Sequence, residues 1–241
     1  MPAADLDLKP LSARSVVLSL VLGAHPEPLS AGGLIRAGEH FGIAPTATRV
    51  ALTRAVASGE LHRRESDYAL GRQLVERQRR QEEAVEDAET AWQGDWELAI
   101  VVVLGRPAAE RAALRDLLTA HRLAELREGV WTRPANLRRD PAYAADPAVQ
   151  AGRCTFASAP EELARSLWDL GEWSSRGRRV LSALEKTREP ARRLAAAAQV
   201  VRHLATDPLL PAALLPAAWP GPDLRHAYAE YQRELRNLAL I

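Results

Sequence analysis

The sequence predicts an α+β chain of several domains: an N-terminal winged helix-turn-helix, a ferredoxin-like middle domain and a helical C-terminal domain. Three observations predict it. Phe41 to Tyr68, FGIAPTATRVALTRAVASGELHRRESDY, reads as a turn, a helix and a two-stranded basic wing. Strand-like and amphipathic helical runs then follow one another from Trp96 to Leu170. From Trp173 onward, Leu, Ala and Val recur at helical spacing. A chain of 241 residues with 47% hydrophobic content suits two or three small soluble domains rather than one core.

Residues 1–70 form the first expected domain. Ser12 is a candidate N-cap for a helix from Ala13 to Leu22, and the Ala24–Pro28 segment breaks it. Ser30 caps a second helix, Ala31 to His40, with Leu34, Ile35 and Phe41 as core contacts. Gly42 suits a tight turn because it takes a positive φ at no steric cost. Pro45 fits the first turn of the next helix, where its missing N–H is no loss. Ala44, Thr48, Leu52, Ala55 and Val56 recur at helical period and predict one buried face. Thr46, Arg49, Thr53 and Arg54 fall on the other, and Gly59 ends the helix. Hydroxyls and an arginine near the start of such a helix can reach base edges in the major groove. Thr48 is included as a candidate contact, although the same period turns it toward the core. Arg63 and Arg64, at or near the tip of the wing, suit phosphate or minor-groove contacts.

Charge placement points the same way. Net charge is only +1, so the molecule is no polycation. Between Pro45 and Arg80, however, eight arginines face four acids, a local excess that supports a nucleic-acid face. Thirty arginines against two lysines, Lys9 and Lys186, reflect GC-rich coding as much as function. The run from Arg72 to Ala91 predicts a polar connector helix over residues 71–92, basic first and acidic from Glu82.

Residues 93–172 form the expected middle domain. Trp96 to Leu104 is an apolar, β-branched run and predicts a buried strand. Ala108 to Arg122 is an amphipathic helix with Ala112, Leu114, Leu117 and Leu118 on one side. Arg127 to Arg133 predicts a second strand, Arg153 to Ala157 a third, and Pro160 starts a helix to Leu170. The order β-α-β-β-α fits a ferredoxin-like unit whose last strand is not evident, with a long loop from Pro134 to Gly152. Residues 173–241 predict helices at Arg178–Glu185, Glu189–Ala205 and Asp223–Leu240. Between the last two lies TDPLLPAALLPAAWPGP, whose prolines forbid one regular helix and whose leucines predict an ordered, packed segment.

Five of these segments, in order along nearly the whole chain, carry a resemblance: Ala13–His25, Phe41–Leu61, Tyr68–Ala84, Leu126–Leu137 and Thr206–Gly221. Together they resemble the PaaX family, transcriptional repressors of phenylacetic acid degradation. The resemblance implies a winged helix, a middle domain of the ferredoxin-like shape also seen in Cas2 proteins, and a helical C-terminal domain. It further implies a homodimer on a palindromic operator, released by an aryl acyl-CoA such as phenylacetyl-CoA. Ala44 departs from the pattern, since similar sequences place Ser or Thr there as N-cap. That loss costs about 1 kcal/mol, partly offset by Pro45.

Two other readings compete. One is a DNA-binding protein of the same family with a different effector or none. The other is a Cas2-like metal-dependent nuclease, which needs a carboxylate at the end of the first middle-domain strand. That strand ends Val103-Leu104-Gly105-Arg106, without one. No cofactor is expected. The six histidines show no metal-ligand spacing, no phosphate loop or nucleophile elbow appears, and Cys154 alone makes neither a disulfide nor a cysteine zinc site. Arg138 and Arg139 are weak candidates for the phosphates of a CoA ester, against a solvated loop pair. No apolar run reaches membrane length, so the expected location is the cytoplasm.

Overall fold

A computed structural model of the chain describes residues 6, 8–72, 74–75, 90–103 and 105–240. Packing divides it into two compact units. The first comprises Met1–Gln81, Ser174–Thr206 and Pro220–Ile241; the second comprises Glu82–Trp173 and Asp207–Trp219.

The first unit begins with α1 (Ala13–Ala24), whose first turn is capped by Ser12: its Oγ accepts the Ser15 amide. The short strand β1 (Leu29–Ser30) leads into α2 (Ala31–His40), where Ser30 accepts the Gly33 amide as N-cap. Then come α3 (Pro45–Ala57), β2 (Leu61–Arg64) and β3 (Asp67–Leu70). The three strands form an antiparallel sheet in the order β1-β3-β2. Its β2–β3 register pairs Leu61 with Leu70 and Arg64 with Asp67. Val16, Val17, Leu20, Val21, Leu34, Leu52 and Leu61 are buried and make the core. The helices of the C-terminal region pack into this same unit, and the last of them lies against α1 and α2.

The second unit holds β4 (Trp96–Val101), α4 (Ala108–Ala120), β5 (Ala124–Arg127), β6 (Val130–Pro134) and β7 (Val149–Cys154), then α5 (Pro160–Leu167). All neighbouring strands are antiparallel, in the order β5-β6-β4-β7. This is the ferredoxin-like strand order, and it corrects the sequence expectation in two places. Arg127 to Arg133 is not one strand but a hairpin that turns at Glu128-Gly129, where Gly129 has φ +74°. That hairpin supplies the missing fourth member, and the strand expected from Arg153 to Ala157 runs instead over Val149–Cys154. The second crossover helix of the fold is reduced to a 3-10 turn, Ala142–Ala145.

The pleat of β4 sorts the core. Ala99 packs with Leu114, Leu118, Trp131, Tyr143 and Val149. Trp96, on the opposite face, packs with Leu163, Leu170, Leu210 and Leu214. Ala112 is exposed, not part of the buried stripe of α4. The proline-rich segment is ordered as its composition predicts: Leu209, Leu210 and Leu214 are buried around a 3-10 turn at Ala212–Leu214. Trp219 stacks on Trp173 with ring centroids 4.1 Å apart.

Three helices complete the chain: α6 (Leu170–Lys186), α7 (Pro190–Leu204) and α8 (Gly221–Leu240). Glu189 caps α7 by accepting the Ala191 and Arg192 amides. No described helix is long and apolar enough to cross a membrane. The connector helix expected over residues 71–92 lies for the most part outside the described residues.

Candidate nucleic-acid interface

The turn between α2 and α3 is built tightly. The Ile43 amide donates to the Gly38 carbonyl at 3.0 Å, and Gly42 takes φ +74° to make the bend. Gly38 has no side chain to spare room for: a Cβ there would stand 2.8 Å from the Thr48 hydroxyl. The two helices therefore meet almost backbone to side chain at this crossing. Ala44, extended at φ −60° and ψ 145°, is an N-cap without a side-chain hydrogen bond, and Pro45 follows in the first turn.

This packing decides which α3 side chains face solvent. Thr46, Arg49, Thr53 and Arg54 are exposed, as the period predicts. Thr48 is not: it is 0% exposed, wedged against Gly38, with its hydroxyl turned to the Ala44 carbonyl at 3.4 Å. Thr48 is thus withdrawn from the candidate contacts, because its side chain belongs to the α2–α3 core. Ala44, expected inside, is exposed. The Thr53 hydroxyl donates to the Arg49 carbonyl at 3.0 Å, which leaves its lone pairs and methyl group for a partner. The sequence reading passed over Val50. It is 49% exposed, one turn on from Thr46 and beside Arg49 on the same face. An apolar residue among the polar ones of a recognition face was the signal.

The wing turns at Glu65-Ser66, with Glu65 at φ +53°. Arg63 Nε donates to the Glu65 carbonyl at 2.7 Å and stiffens that tip. Arg64 is exposed, and neither it nor Arg49 nor Arg54 has an ion-pair partner among the described residues. The Glu60 carboxylate, at the root of the wing, is held by Arg14 through two hydrogen bonds of 2.6 and 2.9 Å. One of the four acids opposing the basic run is thereby neutralised. Arg72 is exposed at the end of the wing. Arg77, Arg79 and Arg80, also part of the basic run, lie outside the described residues.

In the second unit the arginines serve architecture. Arg133 is fully buried. Its Nη2 donates to Asn136 Oδ1 at 2.8 Å and to the Leu209 carbonyl at 2.9 Å, its Nε donates to the Pro134 carbonyl at 3.0 Å, and Glu97 lies 3.8 Å away. Burial, and next the charge of Arg139, pull its pKa down to about 9. The Leu209 carbonyl also accepts from Asn136 Nδ2, and the Leu209 amide donates to Asp207. Leu209 sits at φ +51°, strained for a branched residue, and these bonds hold it there. Arg139 donates to Glu97 at 3.2 Å, and the Tyr143 hydroxyl donates to the same carboxylate at 2.7 Å. The suggested phosphate-binding pair is therefore split, with Arg139 turned inward to Glu97 and Arg138 exposed. Among the described residues no group of three His, Cys, Asp or Glu side chains is placed to hold a metal ion.

Comparison with known proteins covers almost the whole chain. Residues 12–74 match the family model described as PaaX-like protein, residues 89–165 that of the PaaX protein central Cas2-like domain, and residues 168–240 that of the PaaX-like protein C-terminal domain. Among solved structures, the chain is similar to an uncharacterized protein, Rv0674, from Mycobacterium tuberculosis. The two are 45% identical, with a TM-score of 0.85, over 95% of this chain and 99% of that one. No curated protein matches.

Proposed function

The chain belongs to the PaaX-like protein family, and from that premise we propose that it is a cytoplasmic repressor of an aromatic-acid catabolic operon. It acts as a homodimer on a palindromic operator and is released by an aryl acyl-CoA of the phenylacetyl-CoA type. The observation that carries the DNA-binding part is the exposed outer face of α3. Thr46, Arg49, Val50 and Thr53 stand there free of the core, with Arg54 beside them and Arg64 on the wing.

In this reading Arg49 donates its planar guanidinium to a guanine edge, and Val50 meets a thymine methyl. Thr46 and Thr53 lie beside them on the groove floor. Arg54, Arg63 and Arg64 take backbone or minor-groove contacts, which fix register rather than sequence. Two copies related by a twofold axis would place their α3 helices in major grooves one helical turn, or a multiple, apart. The middle unit is read as structural, since its buried cations are already committed to Glu97 and to backbone carbonyls.

The test is selection of DNA sites from a random pool, followed by titration at fixed salt. A palindromic consensus with tight binding, weakened by phenylacetyl-CoA, is the expected result. Binding without sequence preference would remove the operator reading. Operator affinity indifferent to the thioester would leave a DNA-binding protein with another effector or none. Incubation with Mg²⁺ or Mn²⁺ and labelled DNA completes the test, because cleavage would overturn the structural reading of the middle unit.

A further inference from the structure

The arginine-rich stretch from Pro45 to Arg80 contains an acid, Glu60, that is bonded to α1, to α3 and to the root of the wing. It stands between the end of α3 and the start of β2. Its amide donates to the Ala55 carbonyl at 2.9 Å and closes the last turn of α3. Its carbonyl accepts the Gly71 amide at 2.7 Å, where the chain leaves β3. Gly71 is buried, and a Cβ on it would stand 2.0 Å from the Gly59 carbonyl oxygen, so backbone lies directly on backbone there. The Glu60 carboxylate accepts the Ser58 hydroxyl at 2.9 Å. It also accepts Arg14 Nε at 2.9 Å and Nη2 at 2.6 Å, from the first turn of α1. Burial alone would raise the pKa of this carboxyl, but the bonds from Arg14 and Ser58 outweigh it and hold the group below the ordinary carboxylate range.

We propose that Glu60 and Arg14 are positioning residues for DNA recognition: touching no DNA themselves, they hold the wing at one angle to α3 so that both engage the same duplex together. This presupposes the DNA-binding reading above. That reading puts base contacts on α3, at Arg49 and its neighbours, and backbone contacts on the wing, at Arg63 and Arg64. Two sets of contacts on separate elements bind as one only where the elements are preorganised, because otherwise each binding event bears the cost of ordering them. The backbone bonds of Glu60 and Gly71 fix the root of the wing, and the two-pronged Arg14 pair fixes its direction against α1. Such a pair, with Arg14 exposed, contributes little to folding, so its value lies in orientation.

Charge and position make opposite demands here. Counted as a charge, Glu60 opposes DNA: Glu60→Gln removes an acid from a basic surface and frees the Arg14 cation, so it should tighten binding. Counted as a positioning residue, Glu60 is needed: the same substitution lets the wing swing away from α3 and forfeits the contacts of Arg63 and Arg64. The sign of the effect therefore separates the two.

The experiment titrates the full chain with the selected operator DNA over a series of salt concentrations, with urea unfolding in parallel. Glu60→Gln should weaken operator binding about five- to tenfold and lower the salt slope by about one to two, while the unfolding midpoint holds. Arg14→Lys keeps the cation but loses the two-pronged geometry, and should weaken binding as much as Glu60→Gln does. The two together should cost no more than either alone. Added to Arg64→Ala, Glu60→Gln should cost little further, because the wing contact is already gone; added to Arg49→Ala, it should cost its full amount. Wild-type affinity or tighter binding in Glu60→Gln overturns the inference and leaves Glu60 a mere opposing charge. Binding restored by Arg14→Lys, or losses that add fully with Arg64→Ala, also overturn it. So does a loss of affinity matched by a fall in the unfolding midpoint, which would make the pair structural. Wild type that binds no DNA overturns the repressor reading, and this inference with it.

Discussion

Arg49, Arg54 and Arg64 in the first unit and Arg133 and Arg139 in the second are the same chemical group in opposite settings. The first three are exposed on α3 and the wing, with no ion-pair partner among the described residues. The other two are turned into the protein around Glu97, and Arg133 is completely buried. An arginine's composition-level signal is identical in both places. What separates a reading surface from architecture is whether the guanidinium already has partners. A buried cation that loses its partners is costly, whereas an exposed one loses little until its ligand arrives.

The largest expected effect follows from that contrast. Arg133→Ala should destabilise the chain by about 3–5 kcal/mol in urea unfolding, because it leaves Glu97, Asn136 and the Leu209 carbonyl facing a void. Arg49→Ala should stay within about 0.5 kcal/mol of wild type. Equal stability losses in the two variants would break the comparison.

Gly38→Ala tests the boundary between the two faces of α3. Its new Cβ would stand 2.8 Å from the Thr48 hydroxyl, so it should cost about 1–3 kcal/mol by overpacking. Thr48→Ala removes that oxygen, and the double variant should recover part of the loss in a double-mutant cycle. Simple additivity would mean that Thr48 does not fill the crossing, and would return it to the candidate contacts.

The outer face is tested by DNA titration. Arg49→Ala should weaken operator binding by about 1–3 kcal/mol and nonspecific binding much less. Arg64→Ala should weaken both about equally and reduce the salt slope by about one. Equal losses on both DNAs for Arg49 would make it a phosphate contact and reassign specificity to its neighbours.

Much of this was legible in the sequence, and the failures have physical reasons. The caps at Ser12 and Ser30, the Gly42 turn and Pro45 are local, so their positions could be read directly. Thr48 was ambiguous because helical period gives a direction but not the depth of the neighbour. Only the missing side chain of Gly38 draws it wholly inside. The Arg127–Arg133 hairpin was read as one strand because Glu128-Gly129 is a short turn between two β-prone runs. The partners of Arg133 come from Pro134 and Asn136 nearby and from Leu209 some seventy residues away. No spacing rule links an arginine to a carbonyl at that distance. Val50 was missed because apolar residues are assigned inward by default, although many remain exposed.

The smallest effect probes the second unit by pH. His121 packs edge-on to Tyr143 with ring centroids 5.3 Å apart. Burial, and next the charge of Arg139, hold its pKa below the ordinary histidine value. The unfolded chain therefore takes up a proton near pH 6.5 that the folded chain accepts only at lower pH. Between those two values the unfolded state binds more protons, so this residue's contribution to stability falls as pH drops through 6.5. His121→Phe keeps a ring against Tyr143 and removes the proton. Its stability relative to wild type should rise as pH is lowered from 7 toward 5. A difference that stays flat over that range would mean that folding leaves the imidazole's proton affinity unchanged. The cations around Glu97 would then exert less repulsion on their surroundings than their burial implies, and the contrast with the exposed arginines of the first unit would narrow.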